Sequence, residues 1–256
     1  MMTMIDRAWR LFGTGLSFVV FGLGGLVLAL TVFPFFNVFV RDKQQRASLA
    51  QHTVHTAWRI YIACVQAMGV VSSECDGADK LREARGTVIV ANHPSLLDIV
   101  FLLALMRRTQ CVVKAGVWRN PFMSGVVKAA NYIPNLNDPE RLLQDCVNAL
   151  KASNNLMIFP EGSRTQPGKK LKYQRGFAYV AIMAGAPIQL VTIQCAPPTL
   201  RKGEPWYKIP PRRAHWTIRV HERIDVAAEY PDGPTAHAVR KLCAQVESRL
   251  EECLVS

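Results

Sequence analysis

The chain has little that would hold it together outside a reducing compartment. Its seven cysteines (Cys64, Cys75, Cys111, Cys146, Cys195, Cys243 and Cys253) are odd in number, scattered, and never spaced as Cys-x-x-Cys or interleaved with histidine. That pattern argues against a disulfide framework and against a zinc site. Several lie in apolar runs, where a free thiol behaves as a small core side chain, so the body of the protein is expected in the cytoplasm. Acidic residues are also scarce: 19 Asp and Glu stand against 31 Lys and Arg, a formal net charge of +12. Such an excess suits anionic membranes, acidic carrier proteins, phosphorylated ligands or nucleic acid, and does not choose among them. No internal repeat and no low-complexity tract is present.

Charge is missing altogether from Leu11 to Val40. About 20 apolar residues suffice to cross a bilayer, so this stretch belongs in or on a membrane. Gly13, Gly15, Gly22, Gly24, Gly25 and Pro34 make it a poor helix for water, whereas lipid tolerates them if the backbone stays hydrogen-bonded. A cleaved secretory leader is the rival reading, but the run is long and lacks a small-x-small cleavage site. Arg7 and Arg10 precede it, and Arg41, Lys43 and Arg46 follow. The positive-inside rule therefore leans toward a body facing the cytoplasm from the inner membrane, and a hairpin broken at the glycines or Pro34 fits equally well. Residues 1–70 are read as a membrane-anchoring helical segment, and 71–256 as the main domain.

Within 1–70, Val54, Trp58, Tyr61, Ile62 and Val65 recur at helical spacing, the mark of a face packed on the main domain or laid on the membrane. A polar, glycine-containing stretch from Ser72 to Gly86 follows. Then short β-branched runs, Thr87 to Val90, Cys111 to Val113, Leu156 to Phe159, Ile188 to Ile193 and Thr217 to Val220, alternate with helical patterns. This alternation predicts an α/β fold with a largely parallel sheet flanked by helices. Asp138-Pro139 opens a capped helix through Leu142, Leu143, Cys146 and Leu150, and Val239, Leu242, Val246 and Leu250 form a closing one.

Two segments carry chemistry. Thr87-Val-Ile-Val-Ala-Asn-His93-Pro-Ser-Leu-Leu-Asp98 puts a histidine just past a strand, where open sheets bind ligands, with an acid in the next helix. With Pro94 and Ser95 starting that helix, Asp98 comes within reach of the His93 ring, fixes its tautomer and stabilises the imidazolium formed on proton uptake. An isolated pair at this spacing also arises by chance, as a helix cap beside an exposed acid. Phe159-Pro-Glu161-Gly162-Ser163-Arg164-Thr follows another strand; Pro160 and Gly162 force a tight loop that presents Glu161, Ser163 and Arg164. Arg164 is a fixed multidentate donor suited to phosphate. Lys169, Lys170, Lys172 and Arg175 add positive charge, as a ligand-binding or merely solvated loop.

Together, in this order and separation, the two segments resemble the first and third blocks of the lysophospholipid acyltransferase family, which includes bacterial 1-acylglycerol-3-phosphate and glycerol-phosphate acyltransferases. Ala186-Pro187-Ile188 is similar to the fourth block, and Lys114 in Val-Val-Lys-Ala stands where members carry a lysine that helps bind the acceptor phosphate. The second block differs: Asn131-Tyr-Ile-Pro-Asn-Leu-Asn137 lacks the family's glycine and its phosphate-recognising arginine, for which Arg141 or Lys128 are the available substitutes.

The resemblance implies transfer of a fatty acyl group from acyl-CoA or acyl-carrier protein to a lysolipid hydroxyl, with no other cofactor and no metal. His93 acts as base and Asp98 orients it, Lys114 and residues 161–164 hold the acceptor, and backbone amides at the start of the His93 helix stabilise the oxyanion. Conversion of 1-acyl-sn-glycerol-3-phosphate to phosphatidate is the first expectation. Acylation of an ornithine-type, glycolipid or specialised acceptor, a hydrolase, and a non-catalytic lipid-binding adaptor are the alternatives. Partners are then membrane lipid and acyl donor rather than nucleic acid. A second basic cluster, Arg201, Lys202, Lys208, Arg212 and Arg213 interleaved with Trp206 and Tyr207, is read as a headgroup contact.

Overall fold

The computed structural model describes residues 2–165 and 173–255, so Lys169, Lys170 and Lys172 lie outside the described residues. Seven strands, β1 (Val71–Asp76), β2 (Val88–Ala91), β3 (Thr109–Lys114), β4 (Ile133–Asn135), β5 (Asn155–Ile158), β6 (Ile188–Ala196) and β7 (Ala214–Ile224), form one sheet in the order β1-β7-β6-β2-β5-β3-β4. Every pairing is parallel except β6 with β7. The fold is α/β with a mostly parallel sheet flanked by helices, as the alternating pattern predicts.

The central strands are apolar on both faces because helices cover both. Side chains alternate across a strand. Ile89 and Ala91 of β2 therefore join one core layer, and Val88 and Val90 the other. The first layer includes Val54, Tyr61, Ile62 and Val65, so the helix Lys43–Ala67 turns its apolar stripe onto the sheet side of the molecule. The second is closed by Val239, Leu242, Val246 and Leu250 of the helix Ala236–Val255.

Three features depart from the sequence reading. The polar stretch after Ser72 contains β1 and a short helix, Ala78–Glu83. An edge strand half exposed to water has no need of an apolar run, and β1 gains its place by pairing with β7 from Val71↔Ala214 to Asp76↔Arg219. The three-residue β4 is likewise an edge strand. The helix after His93 begins at Asp98, not at Pro94 or Ser95.

The apolar N-terminus is continuous helix: Met2–Val27, a π-helical turn at Leu28–Val32, then Phe33–Phe39. Pro34 supplies no N–H, and the wider turn just before it lets the helix pass through without the break that would have made a hairpin within this run. From Met4 to Phe39 it counts 36 residues and is long and apolar enough to cross a membrane. It is not a bare rod. Trp9 Nε1 donates to the Met68 carbonyl, and the guanidinium of Arg10, only 2% exposed, pairs with Asp6 and donates to the carbonyls of Pro210 and Pro211. Phe21 stacks on Trp58 at 5.4 Å. The opposite side, including Phe12, Val19, Val20, Leu23, Val27 and Leu30, is exposed.

Candidate active site

β2 and β5 are parallel neighbours, so the loops that leave their C-terminal ends meet. His93 follows β2 and Glu161 follows β5. The His93 N–H is shared between Glu161 Oε1 and Thr165 Oγ1, both at 3.2 Å, and Thr165 donates its hydroxyl to Glu161 at 2.7 Å and its N–H to the His93 carbonyl at 2.7 Å. The two sequence segments are thus stitched together through backbone and side chain. Phe159 lies under the His93 ring, with centroids 4.1 Å apart and planes 18° from parallel. Asn92, just before His93, exchanges two hydrogen bonds with the backbone of Ile193 and ties the loop to β6.

Asp98 is completely buried. Its Oδ2 lies 2.9 Å from Nδ1 of His93 and accepts from the Ser95 N–H at 2.6 Å, while Oδ1 accepts from Nε1 of Trp216 at 2.9 Å. Burial pushes the Asp98 carboxyl above the usual range, and the hydrogen bonds from His93, Ser95 and Trp216 oppose that shift. All three neighbours are donors, which is the surrounding an ionised carboxylate requires. A carboxylate only accepts, so Nδ1 carries a proton and Nε2 presents the basic lone pair. Among the described residues Nε2 has no hydrogen-bond partner, and the His93 side chain is 17% exposed. The pair has the geometry of a general base with an orienting acid.

Glu161 is half-buried, and burial raises its carboxyl, opposed by the bonds from Thr165 and His93. Gly162 takes φ 64°, a left-handed conformation that closes the turn through its N–H to the Phe159 carbonyl. Ser163 is half-buried in the same turn. Arg164 donates Nη1 to the carbonyls of Leu200 and Arg201, at 2.7 and 3.0 Å, and so holds the loop that follows β6. That loop also receives Ser95 Oγ at the Thr199 carbonyl and the Leu96 N–H at the Leu200 carbonyl. Lys114 is exposed at the C-terminal end of β3, the same end of the parallel strands as His93. It makes no ion pair among the described residues.

The amides of His93, Ser95 and Leu96 are all engaged, by Glu161 and Thr165, Asp98, and Leu200 respectively, and Pro94 has none. The helix itself starts at Asp98, so these engaged amides lie ahead of its first turn. The altered second block keeps its turn without glycine, because Asn131 adopts φ 54°, a conformation that asparagine tolerates better than most residues. Lys128 and Arg141 line a cleft that none of His93, Asp98, Lys114 and residues 161–164 lines.

Trp216 could not have been found from local sequence. It reaches Asp98 from β7, 118 residues away, and no motif surrounds it. Thr165 was visible only as the end of a motif. In the second basic cluster, Arg201 and Lys208 both pair with Glu204, whose carboxyl is held down to about 2 chiefly by the Arg201 hydrogen bond. Arg213 is spent on the carbonyls of Val71 and Gln66.

Residues 72–194 match the Acyltransferase family model. The chain is 25% identical over 173 residues to a chloroplastic 1-acyl-sn-glycerol-3-phosphate acyltransferase of Brassica napus, covering 66% of this chain and 48% of that one. It is 30% identical over 118 residues to human 1-acyl-sn-glycerol-3-phosphate acyltransferase beta, covering 43% and 41%. With the Helicobacter pylori 1-acyl-sn-glycerol-3-phosphate acyltransferase it shares 32% identity over 100 residues, covering 37% and 42%. The chain spans about half the length, or less, of the curated relatives it matches. The solved structure of the Thermotoga maritima 1-acyl-sn-glycerophosphate acyltransferase PlsC superposes with a TM-score of 0.72 at 19% identity, covering 99% of this chain and 98% of that one, a likeness of fold. The matched region encloses both chemical segments, so in sequence the part of the chain that carries them is similar to the acyltransferases, and the relatives it matches are 1-acyl-sn-glycerol-3-phosphate acyltransferases.

Proposed function

We propose that this protein transfers a fatty acyl group from acyl-CoA or acyl-carrier protein to the hydroxyl of a lysolipid, with 1-acyl-sn-glycerol-3-phosphate as the first acceptor to test. The observation that carries this reading is the buried Asp98 set against Nδ1 of His93, with Nε2 unpartnered among the described residues. Nε2 takes the proton of the acceptor hydroxyl as its oxygen attacks the thioester carbonyl. The new C–O bond forms, the C–S bond breaks, and the departing thiolate takes the proton back from His93 as a free thiol. Asp98 stabilises the imidazolium between these two transfers. Neither a metal nor an acyl-enzyme enters the scheme. Cys195, the thiol whose surroundings include the Asp98 charge, is pushed up to about 12 by burial and is a poor nucleophile at neutral pH.

Glu161 and Thr165 hold the His93 backbone, and Lys114 is the exposed cation available to an acceptor phosphate. The docked, one-sided apolar helix supports an interfacial seat: its packed face holds the body, and its exposed face enters the lipid of the inner membrane from the cytoplasmic side. The test is an acyl-transfer assay of the full chain in anionic vesicles, with labelled acyl-CoA and acyl-carrier protein offered against a panel of lysolipids. Transfer that disappears in a folded His93→Ala protein is the expected result. Transfer that persists, or release of the acyl group to water alone, overturns the reading.

A further inference from the structure

A cleft of about 920 Å³ opens between the helix Lys43–Ala67, the end of the apolar helix, and the helix Pro139–Lys151 that follows β4. Among the described residues five cations line it, Lys43, Arg46, Arg108, Lys128 and Arg141, and the one acid is Asp145, which stands 3.9 Å from Arg141. Among the described residues, Lys43, Arg46, Arg108 and Lys128 have no ion-pair partner. Like charges gathered in one concavity repel and focus a positive potential that an anion relieves.

The floor carries a second, independent sign of a ligand. Gln110, 4% exposed and part of the lining, has a carboxamide oxygen with no hydrogen-bond partner among the described residues. A buried acceptor left unpaired is costly, and a ligand hydroxyl, like water, can supply the donor. The wall holds a third. Phe33 and Phe36 face the cleft from the apolar helix, whose neighbouring Phe35, Val38 and Phe39 are 57%, 73% and 68% exposed. The cleft therefore combines phosphate-binding cations, an acceptor for a hydroxyl, and an aromatic wall continuous with the segment that enters lipid.

We propose that this cleft is a second phosphate site, which seats the headgroup of an anionic glycerophospholipid bearing hydroxyls, such as phosphatidylglycerol. Its phosphate meets Arg46 and Arg108, a headgroup hydroxyl donates to Gln110, and its chains run along Phe33 and Phe36. The site docks the protein at its membrane and is separate from the acceptor's. The inference rests on the interfacial seat proposed above, but not on the reaction.

The experiment uses the full chain carrying His93→Ala, in neutral detergent, titrated calorimetrically with short-chain phosphatidylglycerol, short-chain phosphatidylcholine and inorganic phosphate. Saturable binding of phosphatidylglycerol alone is expected, weakened about tenfold or more by the pair Arg46→Gln and Arg108→Gln, since each charged hydrogen bond lost is worth about that factor. Both arginines reach solvent, so the pair leaves the fold intact, and transfer by the same pair in a His93-containing protein at saturating acceptor is expected unchanged. Gln110→Leu should weaken phosphatidylglycerol without creating affinity for phosphatidylcholine. Equal binding by the arginine pair overturns the proposal, as does inorganic phosphate binding as tightly with the same arginine dependence, which would mark a simple anion site. If the wild-type protein transfers nothing yet this binding holds, the proposed reaction fails and the cleft stands.

Discussion

Nε1 of Trp216 donates to Oδ1 of Asp98 at 2.9 Å, and both side chains are completely buried. Asp98 thereby has both oxygens engaged: the indole holds one, and the Ser95 N–H and His93 share the other. A carboxylate fixed from both sides cannot swing away from the ring it orients, and the donors offset part of the burial that raises it.

Trp216→Phe removes that donor and keeps an aromatic ring beside Phe101. The Asp98 carboxyl, already raised by burial, rises further because its ionised form has lost a hydrogen bond. A more basic carboxylate holds a proton at higher pH, so the acid limb of the pH–rate profile moves to higher pH and kcat falls about tenfold, the worth of one charged hydrogen bond. An acid limb that stays in place, with only the melting temperature lowered, would reduce Trp216 to a packing role.

The sign of this pair also sets how stability responds to pH. A carboxyl whose folded value lies above its ordinary 3.8 favours folding below that value, and the advantage is lost as pH rises through the raised folded value. Asp98→Ala leaves the Ser95, Trp216 and His93 donors without an acceptor and gives up that pH-dependent contribution. Urea unfolding of the wild type from pH 4 upward should therefore lose stability relative to Asp98→Ala over the weakly acid range, on the order of 1 kcal/mol per unit of upward displacement. Parallel curves for the two proteins would show that Asp98 titrates as an ordinary carboxyl.

How far such details were legible in the sequence depends on whether a local pattern encodes them. The central strands were, because burial on both faces demands unbroken apolar runs such as Val88 to Ala91. The meeting of His93 with Glu161 was implied by two motifs at the ends of strands. β1 was not, since Val71-Ser-Ser-Glu-Cys-Asp76 owes its conformation to a partner strand more than a hundred residues away. Trp216 belongs to the same class: its role is fixed by a pairing register, not by its neighbours in the chain. Arg164 was legible as a constrained donor, but its Nη1 partners are backbone carbonyls of a loop the motif does not contain.

Arg164 distinguishes two roles through acceptor choice. If its contribution is to hold residues 200 and 201, Arg164→Lys loosens that loop and raises KM for phosphorylated and uncharged acceptors alike, with faster proteolysis after Arg201. If the guanidinium also meets the acceptor phosphate, KM rises for phosphorylated acceptors alone. The two carbonyls at 2.7 and 3.0 Å lead us to expect the first outcome, with a rise of about tenfold.

Glu161 acts here as an acceptor, from the His93 N–H and the Thr165 hydroxyl. Glu161→Gln keeps a side-chain oxygen in place and should retain kcat within a few-fold, whereas Glu161→Ala unlatches the β2 and β5 loops. The Ala variant should lose about ten- to a hundredfold in kcat, the cost of leaving a partly buried donor unpaired. Steady-state assays of both variants decide it: a Gln variant as poor as the Ala variant would mean that the charge, not the hydrogen bond, is what the reaction uses.

Gly24 and Gly25 are adjacent in the apolar helix yet face different surroundings. Among the described residues a Cβ on Gly24 meets nothing within 4 Å, while one on Gly25 would lie 2.8 Å from the backbone oxygen of Phe122. Gly125 presents the same helix from the other side, where an added Cβ would come within 2.4 Å of the Ala29 methyl. Gly24→Ala should therefore be neutral or gain up to about 1 kcal/mol from helix propensity. Gly25→Ala should lose about 1–3 kcal/mol as backbone is pushed from backbone. Thermal unfolding in detergent separates the two signs, and hydrogen exchange at Leu28–Val32 should quicken in the Gly25 variant alone. Identical behaviour of the two variants would mean that the helix stands free of the domain, and the interfacial seat would lose its structural basis.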